Sequence, residues 1–257
     1  MRSVRVMMAW LTVLASLTAL AGCGAASPES LGGELRLLAP TSLQNVLPVL
    51  VYQFTTTHGG VHIATTFGPD VRPSVPGDVL LAEGPSALTG TTGPATVFAT
   101  DQFVLAVAMG DPLAVGDVGD LARPGLRVAR CAPVQPCGQY ADAILAADGV
   151  HLAAPILVDD VRSAIDLVAH GQADVAMVYR TDAQQFQDNI TAVEFPESSQ
   201  VLAQFQAAAL ARSTNPSAAK AFVEFLGSGQ AQDILSGHFF QFPCPLAPAF
   251  NNTTALM

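Results

Sequence analysis

The stretch from Val158 to Ala183 constrains the fold more than any other part of the chain. It contains four apolar residues at the spacing of one helical face, Val161, Ala164, Ile165 and Val168. Asp159 and Asp160 stand where a helix N-cap belongs, and His170-Gly171 where a helix ends. The apolar run Ala173–Tyr179 follows, which is typical of a strand buried on both faces. The order helix, turn, buried strand predicts an α/β fold with parallel strands.

The same stretch has a structural and a functional interpretation. Thr181-Asp182 predicts the N-cap of a further helix, so the whole segment fits an ordinary αβα unit. The functional interpretation starts from the helix N-terminus near Val161. Unpaired amides and the positive end of the helix dipole make such a terminus an anion site. The same unit places Tyr179 at the end of a strand.

The N-terminal residues have the features of a secretory signal. Arg2 and Arg5 form a basic region, and Val6–Leu20 is an apolar segment shorter than a typical membrane span. The sequence Leu20-Ala21-Gly22-Cys23 resembles a bacterial lipobox, in which the cysteine carries lipid after cleavage. We therefore expect a signal peptide over residues 1–22 and a lipid anchor at Cys23, which places the mature protein on the extracytoplasmic face of the cell membrane.

The charge of the mature chain argues against a nucleic-acid partner. Removal of the signal leaves nine basic residues against 21 acidic ones, a formal charge of −12, and Lys220 is the single lysine. Nucleic acid requires a basic surface. A net negative charge does not exclude a small anionic ligand, because a closed site responds to local dipoles.

Three cysteines follow Cys23. Cys131 and Cys137 flank a five-residue loop, and a disulfide across it is reasonable outside the cytoplasm. Their spacing does not fit a redox or zinc C-x-x-C motif. Cys244 has no evident partner, so a free thiol or a different pairing remains the alternative.

Strands and helices alternate along the rest of the chain, which favours an α/β fold. Pro48 is expected two turns inside the helix Leu43–Thr56, where it removes a hydrogen bond or causes a kink. Ligands in such folds bind outside the carboxyl ends of the strands, at helix N-termini. Three junctions of this kind stand out: Thr41-Ser42, Pro136-Cys137-Gly138 and Asp160-Val161.

Motifs for catalysis or metal binding do not occur. The chain has no HExxH, no P-loop and no GxGxxG after a strand. Asp159-Asp160 suggests a metal pair, but a helix cap is the preferred interpretation. We expect no metal, no cofactor and no enzyme activity, and binding is favoured over turnover.

Taken together, these motifs resemble the periplasmic molybdate-binding proteins of ABC importers. The resemblance is carried by Asp160-Val161-Arg162, Gly171-Gln172-Ala173-Asp174 and Val178-Tyr179, by Arg123-Pro124-Gly125-Leu126 with Cys131 to Gly138, and by Thr41-Ser42-Leu43. It implies two lobes, each a mostly parallel sheet flanked by helices, with the ligand cleft between them. It also implies a monomer that delivers its anion to ABC permease and ATPase subunits.

The resemblance further implies a set of neutral donors to an oxyanion, molybdate or tungstate. They are the hydroxyls of Ser42 and Tyr179 and the amides of Cys137 and Val161, with Thr41 and Gly68 beside them. Hydroxyls and helix N-terminal amides can hold a tetrahedral dianion without lysine or arginine.

One motif departs from the family. Where its members usually carry Gly-Ser-Ser after the second strand, this chain has Gly68-Pro69-Asp70. Proline lacks an amide proton, and an aspartate brings negative charge toward an anion. Two alternatives therefore stay open, a relative that binds another anion and a non-transport lipoprotein that makes protein–protein contacts.

The predicted organisation follows from these assignments. It comprises a signal peptide (1–22), a tether (23–33), a first lobe (34–105 and 206–243), a second lobe (106–205) and a C-terminal tail (244–257).

Overall fold

The computed structural model describes residues 31–68, 74–84, 88, 91 and 95–242. The predictions for the signal peptide, for lipidation of Cys23, for Pro69 and Asp70, and for the tail with Cys244 lie outside the described residues, as does most of the tether.

Within the described part of the chain, ten strands form two five-stranded sheets. The first sheet has the order β2-β1-β3-β10-β4 and the second the order β7-β6-β8-β5-β9. The strands are β1 Gly33–Ala39, β2 Val61–Phe67, β3 Val79–Glu83, β4 Thr96–Asp101, β5 Phe103–Ala108, β6 Val128–Cys131, β7 Ile156–Val158, β8 Val175–Tyr179, β9 Ile190–Val193 and β10 Ala203–Ala209.

Each sheet has four strands that run in one direction and one that runs against them. β10 is antiparallel to both β3 and β4, and β5 is antiparallel to both β8 and β9. The remaining pairs, β1 with β2 and β3, and β6 with β7 and β8, are parallel. The predicted α/β class with two mostly parallel sheets is therefore confirmed, with one reversed strand in each.

The chain crosses between the sheets twice. Gln102 alone separates β4 in the first sheet from β5 in the second, and residues 194–202 lead back from β9 to β10. We call the first sheet with its helices lobe 1 and the second lobe 2. The boundaries predicted at 105/106 and 205/206 lie a few residues inside β5 and β10.

Six α-helices cover the sheets of the described residues. They are α1 Leu47–Thr57, α2 Pro136–Ala147, α3 Val161–Ala169, α4 Arg180–Gln185, α5 Pro216–Leu226 and α6 Gly229–Gly237. In lobe 1, α1 and α5 pack together where the ring of Phe54 meets those of Phe222 and Phe225 edge to face. In lobe 2, α2, α3 and α4 lie against the sheet. Val161, Ala164, Ile165 and Val168 of α3 are all buried, as their helical spacing predicts.

Two local predictions are wrong. α1 begins at Leu47, so Pro48 lies in the first turn, where a missing amide proton has no helical partner to lose. Thr181 and Asp182 do not cap α4, because the helix already begins at Arg180 and both residues are buried within its first turn.

The strand β7 was not predicted, since three residues are too few for a recognisable pattern. In the part of the chain that the structure describes, no helix has both the length and the apolar character needed to span a membrane.

Candidate functional site

The carboxyl ends of five strands meet at a cavity between the lobes. β1 leads into a short 3-10 helix at Thr41–Leu43, β3 ends at Glu83, and β8 ends at Tyr179. β6 and β7 end just before the starts of α2 and α3. The cavity is lined by Pro40, Thr41, Ser42, Glu83, Gln135, Pro136, Cys137, Asp159, Asp160, Val161 and Tyr179. Its volume is about 20 Å³, enough for about one water molecule.

Lobe 2 presents the N-terminus of α2 to this cavity. Pro136 occupies the first turn and has no amide proton, so Cys137 carries the first amide of the helix that can face a ligand. Cys137 is joined to Cys131 by a disulfide, with a Cα–Cα distance of 5.7 Å. The predicted pairing is thereby confirmed, and it ties the end of β6 to the start of α2.

Gly138 is required by the same turn. A Cβ atom at this position would lie 1.9 Å from the carbonyl oxygen of Ala132 and 3.0 Å from that of Cys131. Real Cβ atoms do not approach oxygen so closely, so only glycine lets the loop fold back against the helix start. Together, the glycine and the disulfide fix the position of the Cys137 amide.

The N-terminus of α3 is the second main-chain donor of lobe 2. Asp160 has extended backbone angles, and its carboxylate accepts the amide of Ser163 at 2.8 Å. The preferred interpretation of Asp160 as a helix cap is confirmed. Because the cap uses the third amide, the amides of Val161 and Arg162 have no partner inside the helix. They remain available to an anion.

The hydroxyls of Ser42 and Tyr179 both point to Glu83. Ser42 donates to Glu83 Oε1, and Tyr179 donates to Glu83 Oε2 at 3.0 Å. Ser42 comes from lobe 1 and Tyr179 from lobe 2, so the carboxylate of Glu83 bridges the cleft. The two hydroxyls predicted to bind an oxyanion are therefore engaged by a side chain of the protein.

Burial dominates the electrostatics of this cluster. It raises the pKa of Glu83, although the hydrogen bonds from Ser42 and Tyr179 partly offset the increase. Burial and the charge of Glu83 raise the pKa of Tyr179 well above its ordinary value. Burial also raises the pKa of Tyr140, on α2, to about 12, while its hydroxyl accepts the amide of Gln204 at 2.9 Å. Both tyrosines are therefore neutral at physiological pH.

A second group of buried carboxyls lies beside the crossover between the lobes. Asp101 accepts the hydroxyl of Thr181 at 2.6 Å, and burial raises its pKa from 3.8 to about 7. Burial and the charge of Asp101 raise the pKa of Asp182 well above its ordinary value, while the guanidinium of Arg162, 3.8 Å away, acts in the opposite direction. Asp101 is the last residue of β4, next to the connection to β5, so the protonation state of these carboxyls sets the charge where the lobes connect.

Five of the six residues predicted to bind the ligand line the cavity: Thr41, Ser42, Cys137, Val161 and Tyr179. Gly68 does not, because its amide donates to the carbonyl of Ala39 at 3.1 Å and extends the pairing of β1 with β2. Sequence reasoning missed Glu83. Its hydrogen-bond partners, Ser42 and Tyr179, are 41 and 96 residues away in the sequence, so no local motif marks it as a site residue.

Among the described residues, no cluster of three or more metal-ligating side chains occurs. The cavity offers hydroxyls and helix N-termini, which are donors suited to an anion. Two α/β lobes whose strand ends and helix N-termini face each other across a cleft define the class of two-lobe solute-binding proteins.

Comparisons with known proteins agree with this class. The family model described as "Bacterial extracellular solute-binding protein" matches residues 35–241, and the chain belongs to this family. The molybdate-binding protein ModA of Mycobacterium tuberculosis is 29% identical over 243 residues, covering 87% of this chain and 93% of that protein.

Two solved structures share the fold. The periplasmic molybdate-binding protein of Azotobacter vinelandii has a TM-score of 0.68 and 20% identity, with 82% of this chain and 100% of that chain covered. The sulfate-binding protein SubI of Mycobacterium tuberculosis has a TM-score of 0.67 and 20% identity, with coverages of 82% and 88%. These two proteins are named for different anions, so the shared fold alone does not identify a ligand.

Proposed function

We propose that this chain is the solute-binding component of an ABC importer and that it takes a tetrahedral oxyanion, molybdate or tungstate, in the cavity between its lobes. The observation that carries the proposal is the convergence of four neutral donors on one cavity: the Ser42 and Tyr179 hydroxyls and the Cys137 and Val161 amides. The molybdate ligand is supported by the named relative that is 29% identical over most of both chains.

The chemistry of the donors suits this class of ligand. Two helix N-termini direct amides and positive dipole ends at the same point. Hydrogen bonds to a charged acceptor contribute about 1.5–3 kcal/mol each, so four of them can hold a small anion without a cation. The lining residues of the cavity include no lysine or arginine.

The remaining parts of the proposal concern the cell. The lipobox-like sequence ending at Cys23 supports a lipid anchor on the extracytoplasmic face of the membrane. A tethered monomer would then pass its ligand to the permease of an importer, whose ATPase subunits drive uptake. Mass spectrometry of the protein purified from its host membrane tests the anchor, because a diacylglyceryl group on Cys23 changes the mass of the N-terminal peptide.

Isothermal titration calorimetry tests the ligand. Purified protein lacking residues 1–23 is titrated with molybdate, tungstate, sulfate and phosphate under the same conditions. The proposal expects saturable binding of molybdate and tungstate with a stoichiometry of about one. Binding of phosphate or sulfate alone would identify a relative with another ligand. Absence of binding by all four anions would favour the alternative of a lipoprotein that contacts other proteins.

A further inference from the structure

Glu83 occupies the place in the cavity where an oxyanion needs its donors. The residue is 7% exposed, and its carboxylate accepts hydrogen bonds from Ser42 of lobe 1 and Tyr179 of lobe 2. In charge and geometry, a carboxylate held between two hydroxyls resembles one edge of a tetrahedral oxyanion. The protein thus carries an internal anion at the site proposed for an external one.

The hydroxyls cannot serve both anions. A serine and a tyrosine each donate a single proton, and both protons are directed at Glu83. The cavity of about 20 Å³ is also too small for an oxyanion beside the carboxylate as it stands. A ligand that bonds to Ser42 and Tyr179 therefore has to displace the Glu83 side chain from them.

Displacement is unfavourable while Glu83 is ionised. A buried carboxylate that loses its donors keeps its charge without hydrogen bonds, which is strongly unfavourable. It would also lie beside a dianion in a site with no cationic lining, and like charges at short range repel strongly where water is excluded. A proton on Glu83 removes both penalties and turns the carboxyl into a donor to the anion.

No lysine or arginine lines the cavity to take the place of that proton. Besides Glu83, the ionisable groups that line the cavity are Tyr179 of β8 and Asp159 and Asp160 before α3. Tyr140 of α2, Asp101 of β4 and Asp182 of α4 interact electrostatically with Glu83 or Tyr179. Two cations lie farther out: Arg162 of α3 acts on Asp182, and Arg180 of α4 acts on Asp101. The ionisable groups at the cavity itself are therefore a tyrosine hydroxyl and carboxyls. Additional negative charge entering this region favours proton uptake.

We infer that Glu83 couples anion binding to a proton, so that the bound state holds one proton between the Glu83 carboxyl and the oxyanion. This inference rests on the proposed function. The balance is one protein with Glu83 ionised, one dianion and one proton giving one complex. Molybdate, which carries no proton at neutral pH, takes the proton from solvent. Hydrogen phosphate brings its own proton and uses it to donate a hydrogen bond to the Glu83 carboxylate, so no proton is taken from solvent.

The coupling also defines a specificity. At neutral and higher pH, oxyanions that carry a proton are favoured over those that do not, because only the latter require uptake from a solvent poor in protons. As the pH falls, this difference disappears. Glu83 thus acts as a specificity-determining residue.

The test measures proton uptake directly. Molybdate is titrated into the protein by calorimetry at one pH, in two buffers of different ionisation enthalpy that contain no phosphate or sulfate. The difference in observed heat gives the number of protons taken up. Titrations between about pH 6 and about pH 8 give the second readout, since uptake of one proton changes the affinity about tenfold per pH unit.

The variant that isolates the residue is Glu83→Gln, which keeps the size of the side chain, removes its charge and provides an amide donor in place of a protonated carboxyl. Glu224→Gln is the matched control, because Glu224 is an exposed residue of α5 that pairs with Lys220. We expect uptake near one proton in the wild-type protein and in the control. We expect uptake near zero, affinity independent of pH, and at least about tenfold tighter molybdate binding at about pH 8 in Glu83→Gln.

Three outcomes would overturn the inference. Molybdate binding by the wild-type protein without proton uptake would remove the coupling but leave the proposed function intact. Uptake that persists in Glu83→Gln would assign the proton to Asp101 or Asp182. Absence of binding by both proteins at every pH would contradict the proposed function itself, and the inference with it. If Glu83→Gln does not fold, the two-buffer measurement on the wild-type protein still decides.

Discussion

The two lobes contribute different kinds of groups to the cavity. Lobe 2 contributes mainly backbone: the first amides of α2 and α3, positioned by a disulfide, by Gly138 and by the Asp160 cap. Lobe 1 contributes side chains, the hydroxyl of Ser42 and the carboxylate of Glu83. The main-chain donors of lobe 2 are suited to an anion, whereas lobe 1 places the carboxylate of Glu83 against the hydroxyl donors.

This difference shows where such a site can change. A main-chain donor exists at any helix N-terminus, and a substitution removes it only by moving the backbone. A side-chain donor changes with one residue, and its neighbour can alter the charge of the site. We therefore expect the lobe 2 half to determine whether an anion binds and the lobe 1 half to determine which anion, and at what pH.

The largest effect is expected from Gly138→Ala, which displaces the main-chain donor of lobe 2. The new Cβ would lie 1.9 Å from the Ala132 carbonyl oxygen, so the loop has to move and takes the Cys137 amide with it. We expect a loss of about 3 kcal/mol in the free energy of unfolding and a loss of molybdate binding, measured by urea denaturation and calorimetry.

Gly229→Ala is the control for this substitution. Gly229 begins α6, and a Cβ there meets no atom within 4 Å. The Gly229→Ala variant should keep the stability and the molybdate affinity of the wild-type protein. Wild-type affinity in Gly138→Ala would show that the position of the Cys137 amide is not important.

Removal of the disulfide also loosens the start of α2 in lobe 2, with a smaller expected effect. The double variant Cys131→Ala, Cys137→Ala should lose about 2 kcal/mol of stability, the value for a loop as short as this one. Thermal unfolding measures the loss. Cys244→Ala serves as the control and should leave the transition unchanged. A lower melting temperature in Cys244→Ala alone would indicate that the third cysteine takes part in a bridge.

Tyr179→Phe tests the side-chain donors. Loss of one hydrogen bond to a charged ligand should weaken molybdate binding by about 1.5 kcal/mol, roughly tenfold. Tyr52→Phe is the matched control, because Tyr52 is 70% exposed on α1. Equal affinities of the two variants in calorimetry would exclude the Tyr179 hydroxyl from the site.

The smallest effect is expected from Asp160→Ala. Loss of the cap should lower the free energy of unfolding by about 1 kcal/mol, while molybdate binding should not weaken, since a negative charge at the cavity is removed. Asp166→Ala, at an exposed position of the same helix, provides the comparison in chemical denaturation. A clear loss of affinity in Asp160→Ala would mean that the cap is needed to orient the amides of α3.

The two sides also differ in how well the sequence predicts them. The helix starts of lobe 2 follow from local patterns, such as proline and glycine around Cys137 and an acidic cap before Val161. Residues in contact across such junctions are near in sequence. Five of the six predicted ligand residues accordingly line one cavity, and the two mostly parallel sheets follow from the alternation of strands and helices.

Glu83 could not be assigned in the same way. Its partners are 41 and 96 residues away in the sequence, and no local pattern indicates that an acid at a strand end will lie between two hydroxyls. Thr181 and Asp182 were misread for a related reason. Polar residues after a strand are typical of helix caps, but here tertiary contact with Asp101 and Arg162 determines their positions.

The central claim is that an oxyanion binds in the cavity with its donors taken from both lobes. A crystal structure of the protein grown with molybdate, measured at a wavelength where molybdenum scatters anomalously, tests it most directly. We expect one anomalous peak between Ser42, Cys137, Val161 and Tyr179, with oxygens about 3 Å from their donor atoms. We also expect the Glu83 carboxyl to be displaced from both hydroxyls. A peak elsewhere, or an ordered structure with no peak and Glu83 still bridging the cleft, would contradict the account.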